Sequence, residues 1–318
     1  MRFFIFIVFL FKSSSLYSQE KAKPTSLKEI HLDSRQMEEI QTDLPIKEIY
    51  VDKSNSLWIL GNHSLWKWLP HRSLLHQIQL PTTEKLKHLA GDGDTIFVSN
   101  DSNLFQIESK PLKILSIRSP AKETLSLGLQ IEEQNIYWIR SNGIYFYDSN
   151  TQKLKKIYDH ILLGDQEDKY LFSPENKTLW MLQNNQLSHM KYQKDKKPNK
   201  IIKDAKSINE FHINKDEVLA VSDKAIYRYA KRGYLIQTIP VLTNRRILTS
   251  TFVNQTHSFT FQDKLLEIHD DNKKTSHYFL DVGNLERAKS MVLNDNKLAI
   301  ILDGKPRLFE IPLSHTTK

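Results

Sequence analysis

The stretch Ile46–Trp68, "IKEIYVDKSNSLWILGNHSLWKW", consists of three apolar runs separated by two short polar turns. Asp, Asn, Ser and Gly are the residues that tight turns favour. Short apolar and aromatic runs between such turns are typical of antiparallel β-strands. Three of the chain's five tryptophans lie within eleven residues of this stretch, at Trp58, Trp66 and Trp68. They could form an aromatic cage for a ligand or the core between sheets.

The same pattern recurs seven times along the 318 residues. The second run of each repeat reads "LWIL", "IFVS", "IYWI", "LWML", "VLAV", "HSFTF" and "KLAII". Successive repeats are separated by about 39, 40, 43, 39, 39 and 40 residues, which is the period of four-stranded propeller blades. The equivalent positions are Trp58, Phe97, Tyr137, Trp180, Leu219, Ser258 and Leu298.

A weaker fourth run follows the third in most repeats, for example "LKILSI" from Leu112 and "YLIQTI" from Tyr234. Four strands in each of seven repeats predict an all-β fold, a seven-bladed β-propeller of four-stranded antiparallel blades. We expect residues 19–318 to form one domain, with blades beginning near residues 46, 86, 125, 165, 208, 247 and 288.

The last repeat has three runs, and its missing strand is predicted near the start of the chain. The segment Ser26–Leu32, "SLKEIHL", resembles the fourth runs in length and alternation. Such a strand would complete the last blade and cover edges that an open ring would expose.

The tryptophans are predicted to belong to the core. Strands covered on both faces read as continuous apolar runs, and the other repeats place Phe or Tyr where this one places tryptophan. We therefore favour packing between blades over a ligand cage.

The N-terminus has the features of a secretory signal peptide. Met1-Arg2 is followed by nine apolar residues, Phe3–Phe11, and then by "KSSSLYSQE". We expect a signal peptide of residues 1–18, with cleavage after Ser15 as the alternative, and no transmembrane span after cleavage because nine residues are too few. An uncleaved interfacial anchor is the other interpretation. The signal peptide, together with an Asn-, Lys- and Ile-rich composition, predicts a periplasmic or secreted bacterial protein.

The composition excludes several kinds of chemistry. The sequence has no cysteine and therefore no disulfide, thiolate metal site or cysteine nucleophile. The formal charge of +8 falls to +6 if Arg2 and Lys12 leave with the signal peptide. The densest basic run, Lys191–Asp204, contains six lysines and is interpreted as a solvated loop, with contact to an anionic surface as the alternative.

Known catalytic and metal-binding motifs were not found. The twelve histidines show no zinc-binding spacing, and there is no nucleophile elbow or phosphate-binding glycine loop. "GDGD" at Gly91–Asp94 supplies too few oxygens for calcium, and His63 is interpreted as a surface residue of a turn. We predict no catalytic residue, cofactor or metal.

Ligand sites in propellers are expected at the mouth of the central channel, where loops and strand ends converge. The polar residues at the starts of the innermost strands are candidate ligand contacts, and none repeats from blade to blade. They are Glu48, His88, Asn209 and Glu210.

The repeat Ile46–Trp68 resembles the two-component regulator propeller repeat. Its matching residues are Asp52, Leu57, Trp58, Ile59, Gly61, Leu65 and Trp66. The resemblance implies a propeller fold. In that family the propellers are extracytoplasmic ligand-sensing modules fused to a membrane span and a kinase, neither of which this sequence contains.

These observations predict a non-enzymatic, exported propeller that binds a protein, peptide or glycan partner and not nucleic acid. We expect a monomer. The alternative is a periplasmic hydrolase or lyase with its site at the channel mouth, which would require convergent carboxylates or histidines there.

Overall fold

The computed structural model describes residues 24–312 apart from short internal segments. The segments left out are 121–123, 133, 160–167, 192–198, 201–206, 214–216, 242–245, 254–255, 262–263, 270–274, 283–287 and 295. The predicted signal peptide and most of the lysine-rich run 191–204 lie outside the described residues, as does the expected blade start near residue 165.

The described strands form six hydrogen-bonded sheets, five of which contain four antiparallel strands in chain order. The first sheet comprises β2 (Glu48–Val51), β3 (Leu57–Leu60), β4 (Leu65–Leu69) and β5 (Leu74–Ile78), with a 3₁₀ turn at Pro70–Arg72. The second comprises β6 (His88–Asp92), β7 (Thr95–Ser99), β8 (Asn103–Ser109) and β9 (Leu112–Arg118). The third comprises β10 (Ser126–Glu132), β11 (Asn135–Arg140), β12 (Gly143–Asp148) and β13 (Lys153–Asp159).

The fourth sheet comprises β14 (Lys169–Ser173), β15 (Thr178–Gln183), β16 (Gln186–Lys191) and the two-residue β17 (Asn199–Lys200). The fifth comprises β18 (Ile208–Ile213), β19 (Glu217–Ser222), β20 (Ala225–Ala230) and β21 (Leu235–Pro240). The sixth sheet has eight strands. It contains β22 (Ile247–Val253), β23 (Thr256–Phe261), β24 (Leu265–His269), β25 (Thr275–Leu280), then β1 (Thr25–Ile30), and finally β28 (Lys305–Glu310), β27 (Lys297–Leu302) and β26 (Ala288–Asn294).

Seven separate sheets were predicted and six are present among the described strands, because β1 joins two of the expected blades. Residues 25–27 pair in parallel with β25, whereas residues 28–30 pair antiparallel with β28. A strand has two hydrogen-bonding edges, and the two halves of β1 use opposite ones. The pairing with β28 was predicted, but the parallel pairing with β25 was not.

The helix α1 (Ser34–Gln41) follows β1 and was also not predicted. Asp33 caps it: its side chain accepts a hydrogen bond from the Gln36 backbone at 2.8 Å, and the Gln36 side chain accepts one from the Asp33 backbone at 3.1 Å. This capping box is visible in the sequence. Ile40 is fully buried against the first sheet and the final strands, which fixes the helix to both ends of the chain.

The core consists of layers between successive groups of strands. In the described part of the chain, seven buried hydrophobic clusters occur, and each of them draws side chains from two consecutive strand groups. One cluster packs Ile49 and Trp68 of the first sheet against Ile301 and Leu308 of the last strands. The first and last strand groups are therefore in contact, as in a ring.

The tryptophan-rich stretch belongs to this core. Trp58, Trp66 and Trp68 are 0%, 2% and 1% exposed. Trp58 packs toward the second sheet, and the other two pack toward the last strands. The prediction of packing between sheets is confirmed, and no face of these rings is open to a ligand.

Asp52 explains why this repeat matches its motif best. Its fully buried carboxylate accepts hydrogen bonds from the backbone of Ser54 and Ser56, each at 2.9 Å, and from Trp58 Nε1 at 3.0 Å. Lys67 Nζ lies 3.4 Å away. One side chain thus fixes the turn between β2 and β3 and orients the central tryptophan.

Candidate functional site

The predicted ligand contacts lie at the starts of inner strands, but they form separate groups. Glu48 begins β2, His88 begins β6, and Asn209 and Glu210 are early residues of β18. Glu48 and His88 contact each other. Neither shares a hydrogen bond or ion pair with Asn209 or Glu210 among the interactions of the described residues. The four residues stand at or near strand starts, as expected, but they do not form one group, and their role as ligand contacts stays a prediction.

Glu48 connects the first sheet to the second. Its Oε1 lies 3.3 Å from His88 Nδ1, and its Oε2 accepts a short hydrogen bond from the backbone N–H of Leu89. His88 Nε2 lies 3.3 Å from the backbone oxygen of Ser126, on the third sheet. Both partners of the imidazole, a carboxylate oxygen and a backbone carbonyl oxygen, are hydrogen-bond acceptors.

Glu210 performs the same role between the fifth sheet and β22. Its Oε2 accepts hydrogen bonds from the backbone N–H of Ser250 at 2.8 Å and from Ser250 Oγ at 2.9 Å. Lys169 Nζ lies 3.9 Å from Oε1, and His212 Nε2 lies 3.9 Å from Oε2. His212 Nε2 also lies 2.9 Å from Ser250 Oγ.

The carboxyl of Glu210 is held in a largely buried position, with 18% of the side chain exposed. Burial raises its pKa above the ordinary value, although the charge of Lys169 and the hydrogen bonds from Ser250 act in the opposite direction. A carboxyl with a raised pKa beside a histidine and a serine is a recognisable arrangement for proton transfer.

Sequence reasoning missed two residues that act in the same way. Gln130 of β10 accepts a hydrogen bond from Phe172 N at 2.7 Å and donates one to Phe172 O at 2.9 Å. Asn294 of β26 donates to the backbone oxygens of Val51 and Asp52, both at 3.1 Å. Neither residue stands at the start of its strand, where the candidate contacts were expected.

Glu48, Gln130, Glu210 and Asn294 are called the brace residues below. Each carries a polar side chain that hydrogen-bonds the backbone of the neighbouring inner strand. Three of these partners lie 41, 42 and 40 residues further along the chain, which is one repeat. The fourth connects the last strands to the first sheet. The brace residues hold adjacent sheets in register.

Asn209 is not a brace. It is exposed, and its side-chain amide makes a short hydrogen bond to Asp223 at the turn that follows β19. Arg246 Nε lies 2.8 Å from the other oxygen of Asp223. Asn209 therefore belongs to a polar surface group between the fifth sheet and β22.

Three lysines cluster near Glu48 at the same end of the inner strands. Burial lowers the pKa of Lys47, and the nearby charges of Lys87 and Lys85 lower it further. Lys47 Nζ donates to the backbone oxygen of Leu86, and Lys87 Nζ lies 3.4 Å from Asp101. Lys85 is exposed. We call Lys47, Lys85 and Lys87 the lysine cluster.

The described residues include no group of three or more histidine, aspartate or glutamate side chains arranged to hold a metal ion. In "GDGD", Asp94 accepts a hydrogen bond from Ser54 Oγ at 3.0 Å, and Gly93 adopts a positive φ of 65° in the turn. His63 is exposed, and its backbone N–H donates to Asp43. Within the ranges described, no helix is sufficiently long and apolar to span a membrane.

No family model matches the sequence, and no curated protein does so either. Solved structures do match. Virginiamycin B lyase from Staphylococcus aureus has a TM-score of 0.62 and 17% identity, over 89% of this chain and 98% of that one. The chain is a β-propeller.

Two further structures are similar to this propeller. BBS1N, solved in complex with ARL6DN, has a TM-score of 0.58 and 10% identity, over 86% of this chain and 93% of that one. The extracellular domain of a one-component system from B. thetaiotaomicron has a TM-score of 0.54 and 11% identity, over 89% of this chain and 40% of that one. At these identities the similarities concern the fold, which binding proteins and enzymes share.

Proposed function

We propose that this propeller is an exported, non-enzymatic binding module for a protein, peptide or glycan partner. The partner is expected at the end of the ring where the inner strands begin, because the lysine cluster and the exposed polar groups lie there. The observation that carries the proposal is the use of the inner-strand polar side chains as braces. Glu48 and Glu210 bond backbone groups that they would have to release in order to act on a substrate.

We further propose seven blades in one domain, residues 19–318. In this interpretation, β22–β25 form the sixth blade, and β26–β28 with β1 form the seventh. The seven inter-sheet clusters support this count. The antiparallel pairing of β1 with β28 supports closure of the last blade by the N-terminal strand.

The lysine cluster indicates the chemistry of the partner. Its exposed member is Lys85. An exposed cation attracts a partner of opposite charge and raises its association rate, and salt weakens that attraction. An acidic segment of a protein or peptide, or an acidic glycan, therefore fits this end of the ring. The binding should weaken as ionic strength rises.

Export rests on the sequence of residues 1–18. The extracytoplasmic family that Ile46–Trp68 resembles and the extracellular domain with a similar fold are both consistent with it. Mass spectrometry of the mature protein should find Gln19 at the N-terminus. An intact Met1 in the soluble fraction would contradict export by this route.

The experiment is capture of the partner from a native envelope extract with matched charge reversals. Lys85→Glu reverses an exposed charge of the lysine cluster. Lys53→Glu reverses an exposed charge at the opposite ends of the inner strands and serves as the control. We expect a partner captured by the wild type and by Lys53→Glu at low salt, and at least tenfold less with Lys85→Glu. Equal capture by all three proteins would contradict binding at this end.

One observation favours an enzyme as the second candidate. The buried Glu210 carboxyl, His212 and Ser250 lie within hydrogen-bonding or ion-pairing distance of each other, and one similar propeller is a lyase. If these groups transfer protons, Glu210→Gln should abolish turnover of a hydrolase or lyase substrate while the protein stays folded. Turnover that survives this substitution would exclude the candidate.

A further inference from the structure

A groove lies on the outer side of the ring closure, between β1, α1 and β28, and has a volume of about 370 Å³. We call it the seam groove. Its apolar lining comes from Ile30, the last residue of β1, from Leu32, which follows β1, from Met37 of α1 and from Pro306 of β28. A volume of this size is within the range of small-molecule sites. None of the brace residues and none of the lysine cluster lines it.

One face of α1 forms a wall of the groove. Ser34, Met37, Glu38 and Gln41 recur at helical spacing and all line it. The opposite face carries Ile40, which is fully buried in the core. Ile40 thereby fixes the helix to the core, and the face that carries Met37 and the polar residues lines the groove.

The β28 side of the groove is cationic. Arg307 Nη1 donates to Glu29 Oε1 at 2.6 Å, yet 37% of the arginine side chain remains exposed. The side chain of Lys305 makes no hydrogen bond or ion pair with the residues that the structure describes, although its backbone pairs with Leu302. Glu29 also faces His31 Nδ1 at 3.5 Å. After Glu29 has neutralised Arg307, Lys305 remains as an uncompensated cation beside the apolar lining.

Glu38 supplies the opposite charge on the helix wall, where it is exposed. The groove therefore has a mixed lining that combines four apolar side chains with the cations of β28 and a separate carboxylate on α1. This combination fits a ligand that has an apolar body and a carboxylate, since the cations of β28 can pair with the carboxylate. If the ligand also carries an ammonium group, Glu38 can pair with it.

We propose that the seam groove binds an apolar side chain next to a free carboxylate. A free amino acid such as leucine and the C-terminal residue of a peptide both present this chemistry. The carboxylate lies against Lys305 and the exposed part of Arg307, and the side chain lies against Met37 and Pro306. The site is independent of the partner-binding end proposed above.

Binding is tested by calorimetry on the full mature chain with three probes: L-leucine, Gly-Gly-Leu and the amide of Gly-Gly-Leu. Because charge-assisted hydrogen bonds to the carboxylate are lost in the amide, we expect it to bind at least tenfold more weakly than the free peptide. Binding of leucine alone indicates a free amino acid, and binding of the peptide alone indicates a C-terminus. Absence of binding by both carboxylates, or equal binding of the amide, overturns the proposal.

Two groove variants and one control complete the test. Lys305→Gln removes the uncompensated cation, and Met37→Asp places a negative charge in the apolar lining. Each is expected to weaken binding of the carboxylate at least tenfold. Lys28→Gln removes an exposed charge from β1 outside the groove and should change the affinity less than twofold. Similar affinities for Lys305→Gln and Lys28→Gln would contradict the site.

A bound ligand would bridge β1, α1 and β28, so it should also raise the melting temperature by mass action. Lys305→Gln should abolish this thermal shift but leave partner capture at the lysine cluster unchanged. If the wild type shows the thermal shift but captures no partner, only the function proposed above is contradicted, and loss of capture in Lys305→Gln alone would contradict the independence of the two sites.

Discussion

At the scale of single residues, the most informative side chain is Asp52, which the sequence presented only as a motif match. The structure gives it a physical role: it is fully buried, fixes a turn and holds Trp58. Gly61 is explained by close approach, since a Cβ there would lie 2.5 Å from Asp43 Oδ2 and 2.9 Å from Trp66.

Asp52→Ala is expected to destabilise the protein by about 3 to 5 kcal/mol, because it leaves the Trp58 indole N–H and the Lys67 ammonium without their buried partner. Urea unfolding followed by tryptophan fluorescence measures this change. Asp92→Ala removes an exposed carboxylate nearby and should change the stability by less than about 0.5 kcal/mol. Equal effects of the two substitutions would contradict the role assigned to Asp52.

Glu210 gives a prediction for the pH dependence of stability. Its pKa is raised in the folded protein, so the folded state binds the proton more tightly than the unfolded chain. The stability associated with this proton is fully present below the ordinary value of 4.5 and is lost as the pH rises through the raised pKa. Relative to Glu210→Gln, the wild type should therefore lose stability with rising pH.

Thermal unfolding of the two proteins between about pH 4 and pH 8 measures this difference. Glu310 is the matched control, since its hydrogen bond and ion pair with Lys297 lower its pKa. Measured from about pH 2 to pH 5 and relative to Glu310→Gln, the wild type should gain a little stability as the pH rises from that lowered pKa to the ordinary value of 4.5. The same sign for both carboxyls would contradict the assignment.

At the scale of strands, the brace residues explain how adjacent sheets keep their relative position. Packed apolar layers are non-directional, whereas a side chain hydrogen-bonded to a specific backbone group specifies one alignment. Four such braces join inner strands of neighbouring sheets along the described chain.

Gln130→Leu tests the contribution of a brace. The substitution leaves the N–H and C=O of Phe172 without the partners they have now. A loss of about 1 to 3 kcal/mol of unfolding free energy is expected. Gln77→Leu is the control because Gln77 is an exposed residue of the outer strand β5, and its side chain donates to the hydroxyl of Ser64 and not to a backbone group of a neighbouring sheet in the described part of the chain. If chemical denaturation gives the same midpoint for both variants, the brace has no role in stability.

At the scale of the whole molecule, much of the architecture could be predicted because two sequence features mark each strand. The apolar run gives its extent, and the turn residues give its ends. The eight-stranded sheet could not be predicted in this way. The apolar pattern of β1 does not indicate that its two halves pair with different strands through opposite edges. Helix α1 was not predicted because it has eight residues, and Gln36 and Ile40 are the buried ones, which is too few for a helical apolar pattern. Its capping box of Asp33 and Gln36 was the available sequence signal.

The strand positions of the candidate residues could be predicted from the sequence, but their contacts could not, and their binding of a ligand stays a prediction. The position of Glu48, His88 and Glu210 at inner-strand starts followed from the repeat. Their engagement with the next sheet depends on which face of the strand each side chain occupies, and that is a tertiary property. Gln130 and Asn294 lie away from the starts of β10 and β26, so an expectation based on strand starts did not include them.

The central claim is that one ring presents a binding face and that β1 holds this ring closed. Leu27 of β1 is buried, and the six residues of β1 pair with β25 or β28.

The most direct measurement is thermal unfolding of a chain that lacks residues 19–33. We expect its melting temperature to fall by about 5 to 15 °C, with aggregation through the exposed edges. A chain that lacks only residues 19–23 retains β1 and should melt like the wild type. If the longer deletion also melts like the wild type, β1 does not close the ring and the account of the fold is wrong at that point.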